Sequence, residues 1–441
     1  MRSIIEIFIN GQWIPAADFE PMGQGPYTGR FEYRPEYVFG DNPVPVSLTH
    51  PVTYLSTGLD EDNVAAKCPA FLLDLVPQGR GRAHLAGLLS LGTGATDELT
   101  LAQHGAFNPI GNLRLDTAVE FYRQQAAQLP TPDQGFTLES IEARQAEFLE
   151  HVWIHSMLSA GTTGVQGAAP KFLLTQDVED LWFADAALPD ERAKKHWLIK
   201  LPRGTHKTDQ MVLHNEAAYL RVAQRCGLRT LGEPEVHGDM LFVPRFDRQI
   251  DSHAGLLRLH QESLASLAGI YGFGLTTSLF ELVEAFRPHV TDPVSETVEF
   301  MKRDILNLAM RNTDNHARNT AVQRLPDGRV QLTPLFDFAP MYLDREVIVR
   351  GCRWKQTTQS HELTDWVEII ENLGFDEADT LEIGQHLKMF LPAIEDLENM
   401  MMDCGVDRTI IEDCKPSIHT QIDRLKRLSD RLEEAYRGPT P

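Results

Sequence analysis

Residues 311–323, RNTDNHARNTAVQ, place one Asp, one His, two Arg and three Asn at the end of a long apolar pattern. Upstream, VSETVEFMKRDILNLAMRN has apolar residues at alternating spacings of four and three, which predicts one buried stripe of a helix. Downstream, TAVQRLPDGRVQLTPLFDF has two short apolar runs around residues 326–328, which predicts a hairpin. The stripe comprises Val294, Val298, Met301, Ile305 and Leu308.

The polar stretch has two interpretations. Asn and Asp often form local hydrogen bonds at helix ends, so NTDNHARN is one possible capping loop. Alternatively, it supplies groups for phosphoryl transfer, which needs a base beside the attacking hydroxyl and metal ligands on the phosphates. Asp314 and Asn319 have the D-x-x-x-x-N spacing of a base and an amide ligand, and Asp337 follows at an expected strand end. Oxygen ligands of this kind suit magnesium.

A nucleotide site would require further residues upstream. GTTGVQGAAPK has Gly161, Gly164 and Gly167 at three-residue spacing before an expected strand, so backbone N–H groups could approach phosphates closely. The stretch lacks the GK[ST] ending of a P-loop, which disfavours a Walker-type NTPase. Ordinary turn glycines are the alternative interpretation.

Lys200 ends the β-patterned run HWLIKLP, and Glu216 is expected to open the following helix, NEAAYL. A strand lysine held by a helix glutamate aims an ammonium at nucleotide phosphates in kinases. The alternative is a solvent-facing lysine on an edge strand. MLFVPRFDR, residues 240–248, is predicted to be a buried strand that leads into a connector. The backbone of this connector would contact adenine; the alternative is a chain segment that only exits a core strand.

Composition limits the classes of function. The chain has 441 residues, enough for two or three domains, and a formal net charge of -22. Such a charge argues against direct binding of bare nucleic acid, which needs a basic surface, and favours a basic protein partner. The five cysteines lack metal-site spacing, so a zinc site is not expected. No signal peptide or membrane span is expected, and we predict a cytoplasmic protein.

The expected secondary structure changes along the chain. Short strands and turns are expected to about residue 60, in IIEIFI, FEYRPEYVF and PVPVSLTH, and more helical patterns follow over 61–129. LPTPDQGFT, residues 129–137, is the best candidate linker. Mixed strands and helices then occupy 150–250, and helices dominate beyond 255. We therefore predict three parts: 1–130, a β-rich subdomain with helices; 131–254, a nucleotide-binding lobe; and 255–441, a helical lobe with the catalytic loop.

Several of these motifs occur together and in order: GVQGAAPK, HWLIKLP, NEAAYLRVAQRCGL, FVPRFDR, FMKRDILNLAMRNTDNHARN and LTPLFDF. In this order the sequence resembles the HipA family of bacterial serine/threonine kinases, the toxins of toxin-antitoxin pairs. The resemblance implies an α+β, two-lobed kinase fold. Its α/β N-terminal lobe would carry a small β-rich N-terminal subdomain, and its C-terminal lobe would be all-helical.

The resemblance also implies roles for residues. Asp314 looks like the catalytic base, with Asn319 and Asp337 as magnesium ligands. His316 and Arg318 would lie near the phosphates of ATP, and Lys200 would hold the α- and β-phosphates with Glu216 as its helix partner. The nucleotide loop would comprise Val165, Gln166, Gly167, Ala168, Ala169, Pro170 and Lys171, and the adenine-contacting connector Pro244, Arg245 and Phe246.

One position departs from the family pattern. Members often carry an autophosphorylated serine in the Gly-rich loop, and the aligned position here is Gly164. Thr162 and Thr163 are the nearest hydroxyls and therefore the candidate autophosphorylation sites, with Ser159 more distant.

The family's function gives the first hypothesis, an ATP- and magnesium-dependent protein kinase toxin. Its substrate would be a translation component such as an aminoacyl-tRNA synthetase, glutamyl-tRNA synthetase being the best-known family target. Its partner would be a HipB-like helix-turn-helix antitoxin, through which it would reach operator DNA. Two alternatives stay open: a nucleotide-binding corepressor without phosphoryl transfer, and a kinase of small molecules.

Overall fold

The computed structural model describes residues 1–22, 25–54, 66–92, 94–127, 135–144, 147–149, 151–152, 155, 171–230, 232–251, 255–357 and 360–437. These residues have a mixed α and β fold, as predicted. They form two compact units. Unit 1 comprises Met1–Leu201, Phe242–Phe273 and Gln323–Pro326, and unit 2 comprises Pro202–Leu241, Gly274–Val322 and Asp327–Pro441. The three-part division at 130 and 254 stays a prediction.

The strands fall into three larger sheets and one separate hairpin. In chain order they are β1 (Ser3–Ile9), β2 (Gln12–Pro21), β3 (Gly29–Tyr33), β4 (Leu113–Leu115), β5 (Lys171–Asp177), β6 (Trp182–Ala184), β7 (Ala193–Lys200), β8 (Glu235–His237), β9 (Met240–Pro244), β10 (Arg248–Asp251), β11 (Gly255–Arg258), β12 (His260–Ser263), β13 (Ala321–Arg324) and β14 (Val330–Leu332). The sheet orders are β3-β2-β1-β4, β6-β5-β7-β9-β8 and β12-β13-β14, and β10 pairs with β11.

The helices range from single turns to one of thirty residues. They are α1 (Pro35–Val38), α2 (Gly79–Leu88), α3 (Glu98–Gly105), α4 (Asp116–Ala126), α5 (Leu138–Glu142), α6 (Lys207–Arg225), α7 (Leu264–Leu267), α8 (Leu279–Phe286), α9 (Pro293–Ala309), α10 (Trp366–Glu371), α11 (Glu377–Glu395), α12 (Leu397–Asp403) and α13 (Arg408–Arg437). Among the described residues, no helix is both long and apolar enough to cross a membrane.

The N-terminal sheet begins with a tight hairpin. Asn10 and Gly11 join β1 to β2 with φ values of 50° and 79°, and Ile9 pairs directly with Gln12. Two successive positive φ angles give the turn a twist that matches the strands, which is why Asn-Gly is favoured here. The expected strands form at IIEIFI and at FEY, whereas PEYV forms helix α1 and PVPVSLTH contains only an isolated bridge between Ser47 and His50.

Helix α9 forms where the apolar stripe predicted it. Pro293 occupies its first turn, and the Asp292 carboxylate caps it by accepting a hydrogen bond from the backbone N–H of Ser295 at 3.0 Å. Helices α11 and α13 pack against it. Of the predicted stripe, Val298, Met301 and Ile305 are buried and the two end residues are half-buried. Polar residues on other faces of α9 are buried as well, which the stripe did not predict: Glu296, Glu299, Arg303 and Asp304.

A buried ionic network lies inside unit 1. The Arg245 guanidinium donates to Asp185 at 2.8 Å and to Asp247 at 2.7 and 2.9 Å. Asp247 also accepts hydrogen bonds from Arg248 and from the backbone N–H of Gly111. Burial alone would raise the pKa of the Asp247 carboxyl, but Arg245 and Arg248 outweigh it and hold this pKa well below its usual value. Burial lowers the pKa of Arg248 to about 9.

We expect Asp247→Ala to lower the free energy of unfolding by roughly 3–5 kcal/mol, because two buried guanidinium groups would lose their shared carboxylate. The measurement is urea denaturation followed by circular dichroism. Asp423→Ala, which removes an exposed carboxylate from α13, should change stability by no more than about 0.5 kcal/mol. Equal midpoints for the two variants would contradict a structural role of the network.

Candidate active site

The polar loop starts at a sharp change of chain direction. Helix α9 ends at Ala309, and Arg311 adopts a left-handed φ of 56°. The Arg311 guanidinium lies over the Tyr342 ring, 3.9 Å from its centroid. A short 3-10 turn, Ala317–Asn319, then leads into β13. The loop is thus held between a helix end and a strand, as the sequence predicted.

Four of the predicted site residues line one recess in unit 2: Asp314, His316, Asn319 and Asp337. The His316 Nε2 atom lies 3.4 Å from Asp314 Oδ1. The volume of the recess is about 30 Å³, enough for a water molecule or an ion but not for a nucleotide. Its other lining residues are Leu279, Leu282, Phe300, Arg303, Asp304, Asn307, Asn312, Asn315, Thr320, Leu335 and Phe336. The structure therefore brings the predicted base and both predicted metal ligands together.

Asn319 has the arrangement expected of a ligand. Its Nδ2 group donates to the backbone carbonyl of Asp314 at 2.8 Å, which fixes the orientation of the amide. Its Oδ1 atom is buried and has no hydrogen-bond partner among the described residues. A buried acceptor without a partner is costly, so a cation at this oxygen would offset a real penalty. The residue fits the metal-ligand role that the spacing predicted.

Asp337 is held in a conformation that non-glycine residues seldom adopt. Its φ is 51°, in the left-handed region, where the Cβ atom crowds the backbone. The prediction that it ends a strand is wrong: β14 stops at Leu332, and Asp337 follows in irregular chain. The next residue, Phe338, is fully buried against Tyr219, with the ring centroids 5.2 Å apart. Strain of this kind persists where the surrounding structure enforces it, typically at functional sites.

Asn312 connects these two segments. Its Oδ1 accepts from the backbone N–H of Asp314 at 3.3 Å, and its Nδ2 donates to Asn307 Oδ1 at 2.9 Å and to the Asp337 carbonyl at 3.5 Å. The side chain is buried. It thereby fixes the backbones of the candidate base and of a candidate metal ligand against one another. Sequence reasoning did not assign it a role, because a helix-end Asn by itself indicates only a cap.

A second layer of contacts supports the loop from behind. Asn315 Nδ2 donates to the carbonyl of Cys352 at 2.8 Å, and the Cys352 N–H donates back to Asn315 Oδ1 at 3.3 Å. The buried Asp304 carboxylate accepts from Trp354 Nε1 at 2.9 Å and from Arg350 at 3.1 Å. Residues 350–354 therefore support the polar loop. The one sign of this in the sequence is Asp304, an acid within an apolar helix pattern.

Arg318 is buried in the 3-10 turn and does not line the recess. Glu216 is buried in the middle of α6, which starts at Lys207, so the prediction that it opens a helix is wrong. It does not line the recess either, although it also belongs to unit 2.

Lys200 belongs to unit 1 and is only 4% exposed, at the end of the interior strand β7. The alternative of a solvent-facing lysine on an edge strand is therefore wrong. Lys171, the last residue of the expected nucleotide loop, starts β5 directly opposite Lys200. Directly opposed side chains share one face of a sheet.

The expected connector lies at the end of β9. The Arg245 side chain is engaged with Asp185 and Asp247, and its backbone N–H donates to the His196 carbonyl at 3.0 Å. That N–H is therefore used within the protein, while Pro244 ends the strand and Phe246 follows.

The Gly-rich segment lies outside the described residues. This applies to Val165, Gln166, Gly167, Ala168, Ala169 and Pro170 of the nucleotide loop, to the hydroxyl residues Ser159, Thr162 and Thr163, and to Gly161 and Gly164.

The donor set is sparse for a protein-only metal site. Among the described residues, no group of three or more His, Cys, Asp and Glu side chains is arranged to hold a metal ion. Magnesium often takes one or two protein oxygens, with water and substrate phosphates completing its shell. Asn319 and Asp337 match that mode of binding.

Comparisons with known proteins agree with these features. The model of the HipA-like C-terminal domain matches residues 163–394. The protein is similar to a chain in the Shewanella oneidensis MR-1 structure of the toxin-antitoxin system HipA, HipB and its operator DNA. The two chains are 15% identical, the alignment covers 98% of each, and the TM-score is 0.61. The Helicobacter pylori proinflammatory kinase CtkA is 13% identical over 54% of this chain and 88% of that chain, with a TM-score of 0.36, too low to support a shared fold. No curated protein sequence matches.

We expect Asn312→Ala to loosen both segments that its side chain joins. Hydrogen-deuterium exchange should become faster in residues 311–319 and in residues 333–340 together, and stability should fall by about 1–3 kcal/mol because buried polar groups lose their partners. Asn399→Ala, which removes an exposed amide that bonds to the nearby Asp396, serves as the control. Faster exchange in one segment alone would show that Asn312 does not couple them.

Proposed function

The chain belongs to the HipA family, and we propose that it is an ATP- and magnesium-dependent protein serine/threonine kinase that acts as the toxin of a toxin-antitoxin pair. One observation carries this proposal. Asp314, Asn319 and Asp337, which the sequence spacing selects as a base and two metal ligands, line the same recess.

The proposed chemistry assigns Asp314 the role of base. Its carboxylate would accept the proton of the substrate hydroxyl as the oxygen attacks the γ-phosphate, while the bond from the γ-phosphorus to the β-phosphate oxygen breaks and ADP leaves. His316, 3.4 Å away, would orient that carboxylate and lie near the phosphates. Arg318, on the same turn, would add positive charge behind the loop.

Asn319 and Asp337 would hold magnesium, which when bound neutralises charge on the phosphates. The Asn319 amide is already oriented for this by its bond to the Asp314 carbonyl. Asn312 would keep Asp337 and Asp314 in register while substrate binds, so the chain provides a rigid site before the metal arrives.

The nucleotide would be held by residues of unit 1, where Lys200 and Lys171 lie opposite each other. In the proposed layout, an α/β N-terminal lobe with a β-rich subdomain binds ATP and a helical C-terminal lobe supplies the catalytic loop. Residues 165–171 would cover the phosphates, Lys200 would hold the α- and β-phosphates, and residues 244–246 would contact adenine.

We propose a HipB-like helix-turn-helix antitoxin as the partner, with operator DNA reached only through it. The Shewanella oneidensis HipA with the similar fold forms a complex with HipB and operator DNA, which supports this choice. A net charge of -22 also supports DNA binding through the antitoxin, because the antitoxin would provide the basic surface that DNA requires. The proposed substrate is a cytoplasmic translation component such as an aminoacyl-tRNA synthetase. Thr162 and Thr163 are the proposed autophosphorylation sites, since Gly164 cannot accept phosphate.

With purified protein, magnesium and ATP labelled at the γ-phosphate, the wild type should phosphorylate protein in a cell extract. Asp314→Ala and Asp337→Ala should lower the rate by roughly 10²- to 10⁴-fold, because they remove the proton acceptor and a metal ligand. Asp423→Ala, with an unrelated exposed carboxylate, should retain full activity.

Undiminished transfer by the Asp314 variant would overturn its role. ATP binding by the wild type without transfer to any acceptor would favour the corepressor alternative. Transfer confined to small metabolites would favour the third hypothesis.

Expression of the wild-type chain in bacteria should arrest growth, whereas Asp314→Ala at equal abundance should not. Colony counts after induction, with protein levels checked by immunoblot, measure this. Co-expression of the antitoxin should restore growth. Equal growth of wild type and variant would leave a kinase without toxicity.

A further inference from the structure

Unit 1 contains a cavity that the proposed reaction does not use. Its volume is about 260 Å³, near the lower end of the range for small-molecule sites. Its walls include three aromatic and three arginine side chains: Trp13, Phe107, Tyr122, Arg114, Arg123 and Arg258.

The aromatic walls are rigid and flat. Tyr122 stacks on Phe107 with centroids 3.9 Å apart and planes at 11°. Arg114 and Arg258 lie over the Trp13 ring, at 4.2 and 5.2 Å from its centroid. Flat aromatic and guanidinium surfaces of this kind favour planar ligands that stack.

The charge of the walls is positive, unlike that of the molecule. Arg114 pairs with Glu6 at 2.6 Å and Arg258 with Asp190 at 2.9 Å, while the exposed Arg123 forms no ion pair among the described residues. Burial lowers the pKa of Arg114, although the hydrogen-bonded Glu6 carboxylate partly opposes this shift. Arg123 is thus the lining arginine that lacks an ion pair among the described residues, and a bound anion would pair with it.

One donor in the wall lacks a partner. The Arg258 side chain is only 10% exposed, and its Nε atom is buried without a hydrogen-bond partner in the described part of the chain. A buried N–H without an acceptor destabilises a protein by about 1–3 kcal/mol, and a ligand carboxylate is a matching acceptor.

We propose that this cavity binds a small organic monoanion that combines an aromatic ring with a carboxylate. Its ring would stack against the aromatic wall, and its carboxylate would lie among the three arginines. A carboxylate carries one charge, which matches Arg123, the lining arginine without an ion pair among the described residues; Arg114 and Arg258 pair with Glu6 and Asp190. A phosphate monoester, with nearly two charges, matches less well.

Ligand binding would be coupled to strands β5 and β7 of unit 1 through Asp185. This lining residue accepts hydrogen bonds from Thr175 on β5 and, at 2.8 Å, from Arg245 after β9, and it lies 2.7 Å from His196 Nδ1 on β7. A ligand that orders this wall should therefore stabilise the folded chain.

The test uses the full-length protein and 2-naphthoate, measured by isothermal titration calorimetry and thermal denaturation. Saturable binding and a raised Tm are expected. 2-Naphthylmethanol, which lacks the charge, and acetate, which lacks the ring, should each bind at least tenfold more weakly. Arg123→Gln should weaken 2-naphthoate binding about tenfold, whereas Arg408→Gln, an exposed arginine on α13, should not.

Val119→Phe provides a second variant, because it would fill the cavity from α4 and should abolish binding. Circular dichroism and the Tm without ligand would verify that each variant folds. Absence of saturable binding to the wild type would overturn the proposal. So would equal binding of the neutral alcohol, or unchanged binding by both Arg123→Gln and Val119→Phe.

Discussion

The candidate site depends on one buried side chain, the amide of Asn312. The Asn312 amide accepts a hydrogen bond from the Asp314 N–H and donates one toward the Asp337 carbonyl. It therefore fixes the relative position of two segments that are more than twenty residues apart in the sequence. Neither contact is strong by itself, since each replaces a hydrogen bond to water. Their value lies in geometry: a base and a metal ligand must keep a fixed separation, and a buried amide with all its bonds made has few alternative positions.

The two units achieve rigidity by different means. In unit 1, the carboxylates of Asp185 and Asp247 and the guanidinium of Arg245 form a buried network that ties strands β5 and β7 to the chain after β9. In unit 2, apolar packing around α9 is supplemented by Asp304, which fixes Trp354 and Arg350 behind the polar loop of the candidate site. Buried charges contribute little net stability when fully paired, but removal of one member is severe. Such networks therefore specify one arrangement of a site more than they strengthen a fold.

Local patterns predicted much of this structure. Apolar periodicity located α9, the Pro-Asp-Gly turn located the hairpin of β13 and β14, and spacing brought Asp314, Asn319 and Asp337 into one proposal. The failures have physical causes. Glu216 lies in the middle of α6 because this helix already starts at Lys207. The sequence there is polar and has no apolar stripe that would predict a helix start. The left-handed Asp337 was not predictable, because Asp adopts this conformation only occasionally and no turn pattern in the sequence indicates it here.

The electrostatics of unit 2 bear directly on the proposed reaction. The Asn319 amide oxygen is buried and has no hydrogen-bond partner among the described residues, in a recess that Asp314 and Asp337 also line. The bond from its Nδ2 group to the Asp314 carbonyl fixes the orientation of this oxygen. A buried acceptor without a partner destabilises the folded protein. A bound cation would satisfy the oxygen, so the cost of leaving it unpaired would be recovered when the proposed magnesium binds.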